Sequence, residues 1–587
     1  MLNVQRFFDT VWMVRVGLFV GLLGTLLLFR GVFFGQELVW ADDFDSGLSF
    51  WILEWGYKVL FLEGSPSEFW NANSFYPHLN TLAYSDSFLG AQFFYSPLRL
   101  IGFSPVFSTY AMLALTCLLS CVISDYSLVR LGGFTSLERG IIVYSSHFGL
   151  YVFGFLYHYQ LFGIQYGISF LFVALIFLQK FRFRDLLTGC VLVFLGVSFS
   201  MYLAPMLMVC SVFVLAPLFF VRVYQVGLRY FLGKVGVRGL ATVLGTFILL
   251  YFVQIGPYLE VAKEFPKQSF DETYMYSARV TSIFEDVSAR SLWYGDQNEI
   301  EYGDWERPLF PGYLLLTAVF FVFFLLASNN NARVQLAAVM GNSKYLLPFS
   351  CLLFASCYFF SLGPYVLVGE TDSEKVRMPF AIFSAFLPGL DSMRSPGRFA
   401  MLMGPAYGII AVLGIRLVLR NRGAPTLFGL MFLLILIFES LPSFSVYPAN
   451  TQNFALYKEL EGQLNFQEPL LEIPLVASSH LDTYRNVMQQ LNASNIHGGA
   501  MVVGYGAKFS EEHHAFLHLD RLFQEGDAKL SDIIGFCNKL AIKKILIHRG
   551  RLAPLIEKDL NAELDSISAE LASFEEIGVN SILVHLN

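Results

Sequence analysis

Long apolar runs, separated for the most part by short connections, fill the first three quarters of this chain. Runs of roughly the 20 residues that a helix needs to cross a bilayer lie near 12–34, 106–130, 139–157, 160–179, 186–203, 205–222, 237–256, 308–327, 345–365, 398–419 and 425–442. The pattern predicts about eleven membrane-spanning helices. The segment 88–102 is also apolar, but it is short and carries Pro97 and Arg99, which suits a helix lying in the membrane boundary. A second boundary helix is expected over 47–62, with Trp51, Trp55, Val59 and Leu62 on one face and Glu54 and Lys58 as an i,i+4 pair on another. From about residue 446 the pattern changes. Short β-like runs at 470–475, 501–504, 544–548 and 582–585 alternate with helical stretches near 510–524, 529–540 and 552–573, the signature of a small α/β domain.

Composition agrees: 55% of residues are hydrophobic and 14% charged, against about 25% charged in an ordinary soluble domain. The charges also assign sides. Arg130 with Arg139, Lys180 with Arg182 and Arg184, Arg222 to Arg238, Arg333 with Lys344, and Arg416 to Arg422 all fall in alternate connections, as the positive-inside rule requires of cytoplasmic loops. Arg6 and Arg15 precede an apolar stretch too long for a signal-peptide core, so the N-terminus reads as a retained signal anchor with a cytoplasmic end. The expected organisation is a transmembrane module over 1–445, with external loops at 35–105, 258–307 and 366–397, and an extracytoplasmic α/β domain over 446–587. The membrane is read as a bacterial inner membrane. Six of the seven cysteines lie in apolar runs and Cys537 lies in the tail, which gives neither a disulfide framework nor zinc spacing.

Candidate chemistry gathers on the external side. Asp42, Asp43 and Asp45 follow the first span, and an Asp-x-Asp pair can share a divalent cation or let one carboxylate act as a base beside its neighbour. The plainer reading is a solvated helix end with Asp45 or Ser46 as N-cap. His158, Gln160 and Gln165 sit at an external turn and can hydrogen-bond sugar hydroxyls or a phosphate, or simply satisfy loop backbone groups. Arg394 and Arg398 flank a Ser-Pro-Gly bend as a phosphate clamp or as snorkelling helix-entry arginines. Tyr274, Tyr276, Arg279, Trp293, Tyr294 and Asp296 mix aromatics with polar groups in the loop 258–307, a composition shared by sugar-stacking sites and aromatic belts. The Asn492-Ala-Ser494 sequon is short enough to arise by chance.

These residues carry a resemblance. Asp45-Ser-Gly-Leu-Ser-Phe-Trp51 followed by Trp55 resembles the acidic first-loop motif of GT-C membrane glycosyltransferases, in particular a bacterial subgroup using polyprenyl-phosphate sugars. Phe75-Tyr-Pro-His-Leu-Asn-Thr-Leu-Ala-Tyr-Ser-Asp86 is similar to that subgroup's extended loop, with Asp86 where Glu is usual. His158-Tyr-Gln160 with Gln165 resembles its H-x-Q-x4-Q run, and Met393-Arg-Ser-Pro-Gly-Arg-Phe399 its R-x-P-x-R-F run. His497-Gly-Gly-Ala-Met-Val-Val-Gly-Tyr505 resembles a tail segment, with Ala500 in place of Pro.

The resemblance implies a GT-C-like polytopic α-helical fold and transfer of a sugar, hexosyl or pentosyl, from a polyprenyl-phosphate donor to an envelope glycan, lipid or protein acceptor. An inverting reaction is expected, with Asp45, or its neighbour Asp43, as the base for an acceptor hydroxyl that loses its proton as it attacks the anomeric carbon. Asp42, Asp86, His158, Gln160, Gln165, Arg394 and Arg398 would bind substrate. A divalent cation, magnesium or manganese, on Asp43 and Asp45 is left open; membrane lipids are expected partners and nucleic acid is not. The competing class is a non-enzymatic transporter or flippase of lipid-linked glycans, which would place ionisable groups deep inside its spans. A third is a catalytically silent relative of the fold.

Overall fold

In the computed structural model the residues described are 14–33, 38–40, 45–153, 158–284, 306–307, 309–328, 345–367, 375–419, 425–441, 446–448, 455–461, 464, 468–477, 479–552, 554–567, 572–577 and 580–587. The chain divides into two compact units, one of residues 1–35, 110–254 and 266–445, the other of residues 36–109, 255–265 and 446–587.

The first unit is helical. Among the described residues four helices are long and apolar enough to cross a membrane: Pro105–Leu131, whose first turn belongs to the other unit, Tyr159–Lys180, Leu203–Val226 and Leu228–Glu264, whose residues 255–264 also belong to the other unit. A fifth arises if Pro396–Leu402 and Gly404–Val418, bent by 42°, are one broken span. The runs near 308–327, 345–365 and 425–442 form the shorter apolar helices Tyr313–Ser328, Leu346–Ser361 and Thr426–Glu439. Those near 12–34, 139–157 and 186–203 give Arg15–Phe33, Ser136–Phe148 with Leu150–Phe153, and Phe183–Phe199. Most runs of the sequence therefore become helices, and among the described residues four or five have full spanning length.

Charges inside this unit are paired across helices. Asp125 on Pro105–Leu131 accepts from Arg139 Nε at 2.6 Å and from the Gly17 amide at 2.9 Å. A side chain at Gly17 would stand 2.5 Å from the Cys121 carbonyl oxygen, so glycine is what lets that amide reach the carboxylate. Ser136–Phe148 begins with a capping box, Thr135 and Glu138 each bonding the other's amide. Glu138 is also held by Arg416 through Nε at 2.6 Å and Nη2 at 2.7 Å. Glu439, at the end of one helix, accepts from the amides of Tyr313 and Leu314 that open another, where the helix dipole favours an anion.

The second unit is built on a five-stranded sheet: β1 Pro469–Ile473, β2 Ala500–Met501, β3 Lys544–His548, β4 Ala572–Ile577 and β5 Ser581–Leu586. Their spatial order is β2-β1-β3-β5-β4. β2 and β3 run parallel to β1, and β5 runs antiparallel to both β3 and β4. The four β-like runs of the tail become β1, β2, β3 and β5. β4 lies where a helix extending to 573 is expected; it is an edge strand with only its terminal residues buried, so it lacks the alternation that marks a half-buried strand. Helices Glu511–Glu525, Leu530–Lys539 and Pro554–Ser566 match the expected stretches, and His480–His497 is an additional helix.

The two segments expected to lie at the membrane boundary also fold in this unit. The helix Asp45–Tyr57 continues as a wider turn to Leu62, with Trp51, Trp55 and Val59 buried and Leu62 exposed. The expected Glu54–Lys58 pair is absent. Glu54 instead takes Arg99 Nε at 2.5 Å and Nη2 at 3.1 Å, while Lys58 reaches Glu63 at 3.5 Å; a two-pronged guanidinium competes better for a carboxylate than an ammonium. Gln92–Leu100 is nine residues long, about 14 Å of helix and too short to span, and leaves Phe93 and Leu100 exposed, as is Ile101 just after it.

At the centre of the sheet, Glu472 is buried and accepts from Tyr457 Oη at 2.9 Å and from His548 Nε2 at 2.8 Å, with His497 Nε2 3.9 Å from its other oxygen. Burial pulls His497 down to about 4, Glu472 opposing and Lys58 adding to the shift. The folded ring is therefore neutral where an unfolded histidine, titrating near 6.5, takes up a proton. The stability that depends on it is complete above pH 6.5 and declines to about pH 4, by up to about 1.4 kcal/mol per pH unit. Hydrogen exchange of the full-length protein in detergent, corrected for intrinsic rates, should show β1 and β3 losing protection on going from pH 7 to pH 5. Unchanged protection would mean that His497 charges in the fold at no cost.

Candidate functional site

The candidate residues divide between the two units. In the first, the Pro396–Leu402 turn carries Arg398 with its side chain only 3% exposed. Its partner is Glu306, equally buried: Arg398 Nε donates to Glu306 Oε2 at 3.0 Å and Nη2 donates to Oε1 at 2.6 Å. His158, the residue before the short helix Tyr159–Gly163, places Nε2 3.2 Å from Glu306 Oε1. Aromatic faces complete the cluster. The Arg398 guanidinium lies 4.4 Å from the Tyr202 ring centre and Arg394 lies 4.8 Å from that of Tyr276, distances at which cation–π attraction operates.

Burial alone would drive Glu306 towards its neutral form, but the Arg398 charge and the hydrogen bonds from His158 and Arg398 outweigh it and hold the carboxyl well below the usual range. The Glu306 carboxyl is thus ionised at neutral pH. Its backbone is tightly fitted: a Cβ on Gly397 would stand 2.0 Å from the Glu306 carbonyl oxygen, so glycine is required for the two segments to touch.

Sequence reasoning brings His158, Arg394 and Arg398 to one loop face but misses Glu306, one acid among several in the loop 258–307. The signal that points to it is indirect. An arginine opening an apolar run needs a counter-charge if it is to be buried.

Gln160 is partly buried on the Tyr159–Gly163 helix. Gln165 is fully buried among helices, its Oε1 paired with His147 Nδ1 and its Nε2 donating to the His147 carbonyl oxygen at 3.2 Å. His147 Nε2 meets Ser124 Oγ at 2.9 Å. Of the loop aromatics, Tyr274 stacks on Tyr365 at 4.6 Å and Tyr276 lies beneath Arg394. Trp293, Tyr294 and Asp296 lie outside the described residues.

The second unit holds the acids. Asp45 is in the first turn of Asp45–Tyr57 and is partly buried; Asp42 and Asp43 lie outside the described residues. The helix that presents Asp45 is docked on His480–His497. Trp51 Nε1 donates to Ser494 Oγ at 3.2 Å, Asn495 Nδ2 to the Trp51 carbonyl at 3.1 Å and Asn492 Nδ2 to the Gly47 carbonyl at 3.4 Å. Both polar residues of the sequon therefore serve packing. Trp55 Nε1 donates to the Phe69 carbonyl at 2.9 Å. The two tryptophans of the acidic motif hold the helix whose first turn carries the acid.

The loop leading to Asp86 is held by the tail segment that also stood out in the sequence. The Tyr76 amide donates to the Met501 carbonyl at 2.9 Å and the Met501 amide to the Asn73 carbonyl at 3.1 Å. His78 Nε2 meets Glu512 at 2.6 Å. Gly504 packs so closely on Phe75 that a Cβ would stand 2.3 Å from its ring. Asp86 itself is buried, and Tyr258 donates to the carbonyl of the preceding Ser85 at 2.7 Å. Among the described residues no group of three or more His, Cys, Asp or Glu could hold a metal ion.

No family model and no curated protein matches the chain. Its structure is similar to that of the arabinofuranosyltransferase AftD from mycobacteria, with a TM-score of 0.53 and 13% identity over 97% of this chain and 40% of that one. The chain thus spans less than half the length of that relative. A lower TM-score of 0.42, at 12% identity over 92% of this chain and 70% of the other, relates it to the archaeal oligosaccharyltransferase AglB from Archaeoglobus fulgidus, solved with an inhibitory peptide and a dolichol-phosphate. The likeness is one of fold, and it extends over nearly the whole of this chain.

The contact at Gly397 gives a direct check on the Arg398 cluster. Gly397→Ala should lower the melting temperature of the detergent-solubilised protein, as an overpacked core substitution costs about 1–3 kcal/mol. Gly233→Ala, inside a helix at a position open to space, is the control and should hold or raise it, since alanine suits a helix interior better than glycine.

Proposed function

We propose that this chain is an inverting membrane glycosyltransferase that moves a sugar from a polyprenyl-phosphate donor to a cell-envelope glycan, lipid or protein acceptor on the extracytoplasmic face of a bacterial inner membrane. The supporting observation is the likeness of fold to a mycobacterial arabinofuranosyltransferase, which extends over 97% of the chain. In this reading the chain is organised as a transmembrane module over 1–445 and an extracytoplasmic domain over 446–587.

The chemistry then assigns roles. An acceptor hydroxyl loses its proton as it attacks the anomeric carbon, and Asp45, with Asp43 beside it in sequence, is the candidate base. The helix dipole favours a carboxylate at the first turn that Asp45 occupies. As the glycosidic bond to the lipid phosphate breaks, negative charge grows on the leaving oxygen, and fixed cations stabilise it. Arg394, whose guanidinium lies over Tyr276, and His158 supply that charge, with Arg398 as the buried anchor of the cluster. Gln160, Asp86 and Asp42 are the candidate partners of sugar hydroxyls. Gln165 would contribute by fixing His147. If a magnesium or manganese ion takes part, Asp43 and Asp45 would hold it. Pentosyl and hexosyl donors both fit this reading.

Purified protein incubated with labelled polyprenyl-phosphate sugars and extracted membrane glycans is the test. Asp45→Asn should reduce transfer by at least the 10²-fold that a positioned general base contributes, with insertion and melting temperature preserved. Wild-type transfer by that variant would sink Asp45 as the base. Movement of lipid-linked glycan across a vesicle membrane without transfer would instead establish the flippase.

A further inference from the structure

The helices Asp45–Tyr57 and His480–His497 lie in the same unit, and the bonds between them repeat at the pitch of a helix. Gly47 and Trp51 stand about one turn apart on the first, and Asn492 and Asn495 about one turn apart on the second. Asn492 Nδ2 donates to the Gly47 carbonyl at 3.4 Å and Asn495 Nδ2 to the Trp51 carbonyl at 3.1 Å. Ser494 Oγ gives its one hydrogen to the Leu491 carbonyl at 2.6 Å, so its oxygen is left to accept the Trp51 indole N–H at 3.2 Å. Sliding the first helix by one residue rotates both carbonyls and the indole away together.

Packing alone would not select an amide at Asn495. Its Oδ1 is buried and takes no hydrogen bond, and a buried acceptor without a donor costs stability. The Trp51 carbonyl does not depend on the amide either, because inside its helix it already faces the Trp55 N–H. An apolar side chain at 495 would remove the orphan oxygen and create no other. What the amide adds is a fixed register for the opposite helix.

We propose that Asn495, with Asn492 beside it, is a positioning residue that registers the helix whose first turn carries Asp45, so that the tail is a working part of the transfer site. The proposal rests on the glycosyl-transfer reading for the role of Asp45. A base acts only within hydrogen-bond reach of the hydroxyl that it deprotonates, and a displacement of about 1 Å costs about 10²-fold in rate. Gly47 permits the close approach: a Cβ there would stand 3.2 Å from Met488 Cε and 3.9 Å from Met488 Cβ. The second distance is one that a disulfide spans.

Full-length protein in nanodiscs, with labelled polyprenyl-phosphate sugars and extracted membrane glycans, provides the test. Asn495→Leu should hold or raise the melting temperature while lowering kcat about tenfold or more, with KM for the donor little changed. A merely structural role would lower the melting temperature instead. Gly47→Cys and Met488→Cys, added to Asn495→Leu and treated with oxidised glutathione, should form a disulfide as the glutathione is reduced to two thiols. The linked protein should transfer about several-fold faster than its own reduced form, because the covalent bond replaces the lost register. The same linkage in protein that keeps Asn495 should leave transfer at the rate of its reduced form, which decides the matter where Asn495→Leu does not fold. Wild-type kcat in Asn495→Leu, a melting temperature that falls with kcat, a linked Asn495→Leu protein no faster than its reduced form, or loss of transfer on linkage with Asn495 in place overturns the proposal and leaves the glycosyl-transfer reading standing. So does failure of the disulfide to form, which is read by mass spectrometry without substrate. Wild-type protein that transfers no sugar overturns that reading and the proposal with it.

Discussion

A charge taken out of water must find its opposite, and this rule organises the helical unit. Arg139 meets Asp125, Arg416 meets Glu138, Arg130 meets Asp185 and Arg398 meets Glu306. Each carboxylate sits at or below 14% side-chain exposure, where an unpaired charge would cost several kcal/mol. Asp125 also takes the Gly17 amide and so joins three helices. Glu439 satisfies the opening amides of a helix that begins more than a hundred residues earlier in the chain, solving the orphan-donor problem that every helix N-terminus has. Apolar packing between such helices is interchangeable with lipid and carries little information about which helix goes where. The ion pairs carry that information, because a shift of one turn would leave both partners uncompensated.

The second unit solves a different problem, that of fixing irregular loops. Loops bury backbone groups that no helix or strand satisfies, and here side chains and tail segments satisfy them. Thr81 Oγ1 donates to the Ala72 carbonyl at 2.8 Å, Asn73 Nδ2 to the Ser494 carbonyl at 3.1 Å and Gln92 Nε2 to the Leu53 carbonyl at 3.1 Å. The Asp45 helix, the loop to Asp86 and the His497–Tyr505 segment are therefore one hydrogen-bonded assembly. Each of these stretches is the complement of another, so a change in one removes hydrogen bonds that another depends on.

Hydropathy made the helices legible because burial in lipid or protein demands the same apolar run. It made their full lengths less legible, since the run near 186–203 becomes the 17-residue helix Phe183–Phe199, and runs near 308–327 and 345–365 become helices of 16 residues. In the tail, β1, β3 and β5 were legible from continuous apolar stretches, and β4 was not, because its Glu575 and Glu576 face solvent from an edge strand. His480–His497 has a polar composition whose burial comes from contacts far away in sequence, such as Trp51 with Ser494. Long-range partners were the general blind spot. His158, Arg394 and Arg398 could be read from residue type and side, but Glu306 could not, since nothing in its spacing sets it apart from neighbouring acids.

That partner changes what the two arginines are. As a pair flanking a bend, Arg394 and Arg398 look equivalent, two guanidinium groups for one phosphate. With Glu306 in place, Arg398 commits one hydrogen bond each from Nε and Nη2 to a carboxylate, and its charge is cancelled locally. A phosphate approaching it would meet a neutral, buried pair, and prising the pair apart leaves a buried acid unpaired at a cost of about 3–5 kcal/mol. Arg394 is set 4.8 Å from the Tyr276 ring centre, and among the described residues no carboxylate is pinned to it as Glu306 is to Arg398. The spacing that made the arginines look like a clamp thus yields one anchor and one cation, and the division is decided by a residue ninety-two positions away.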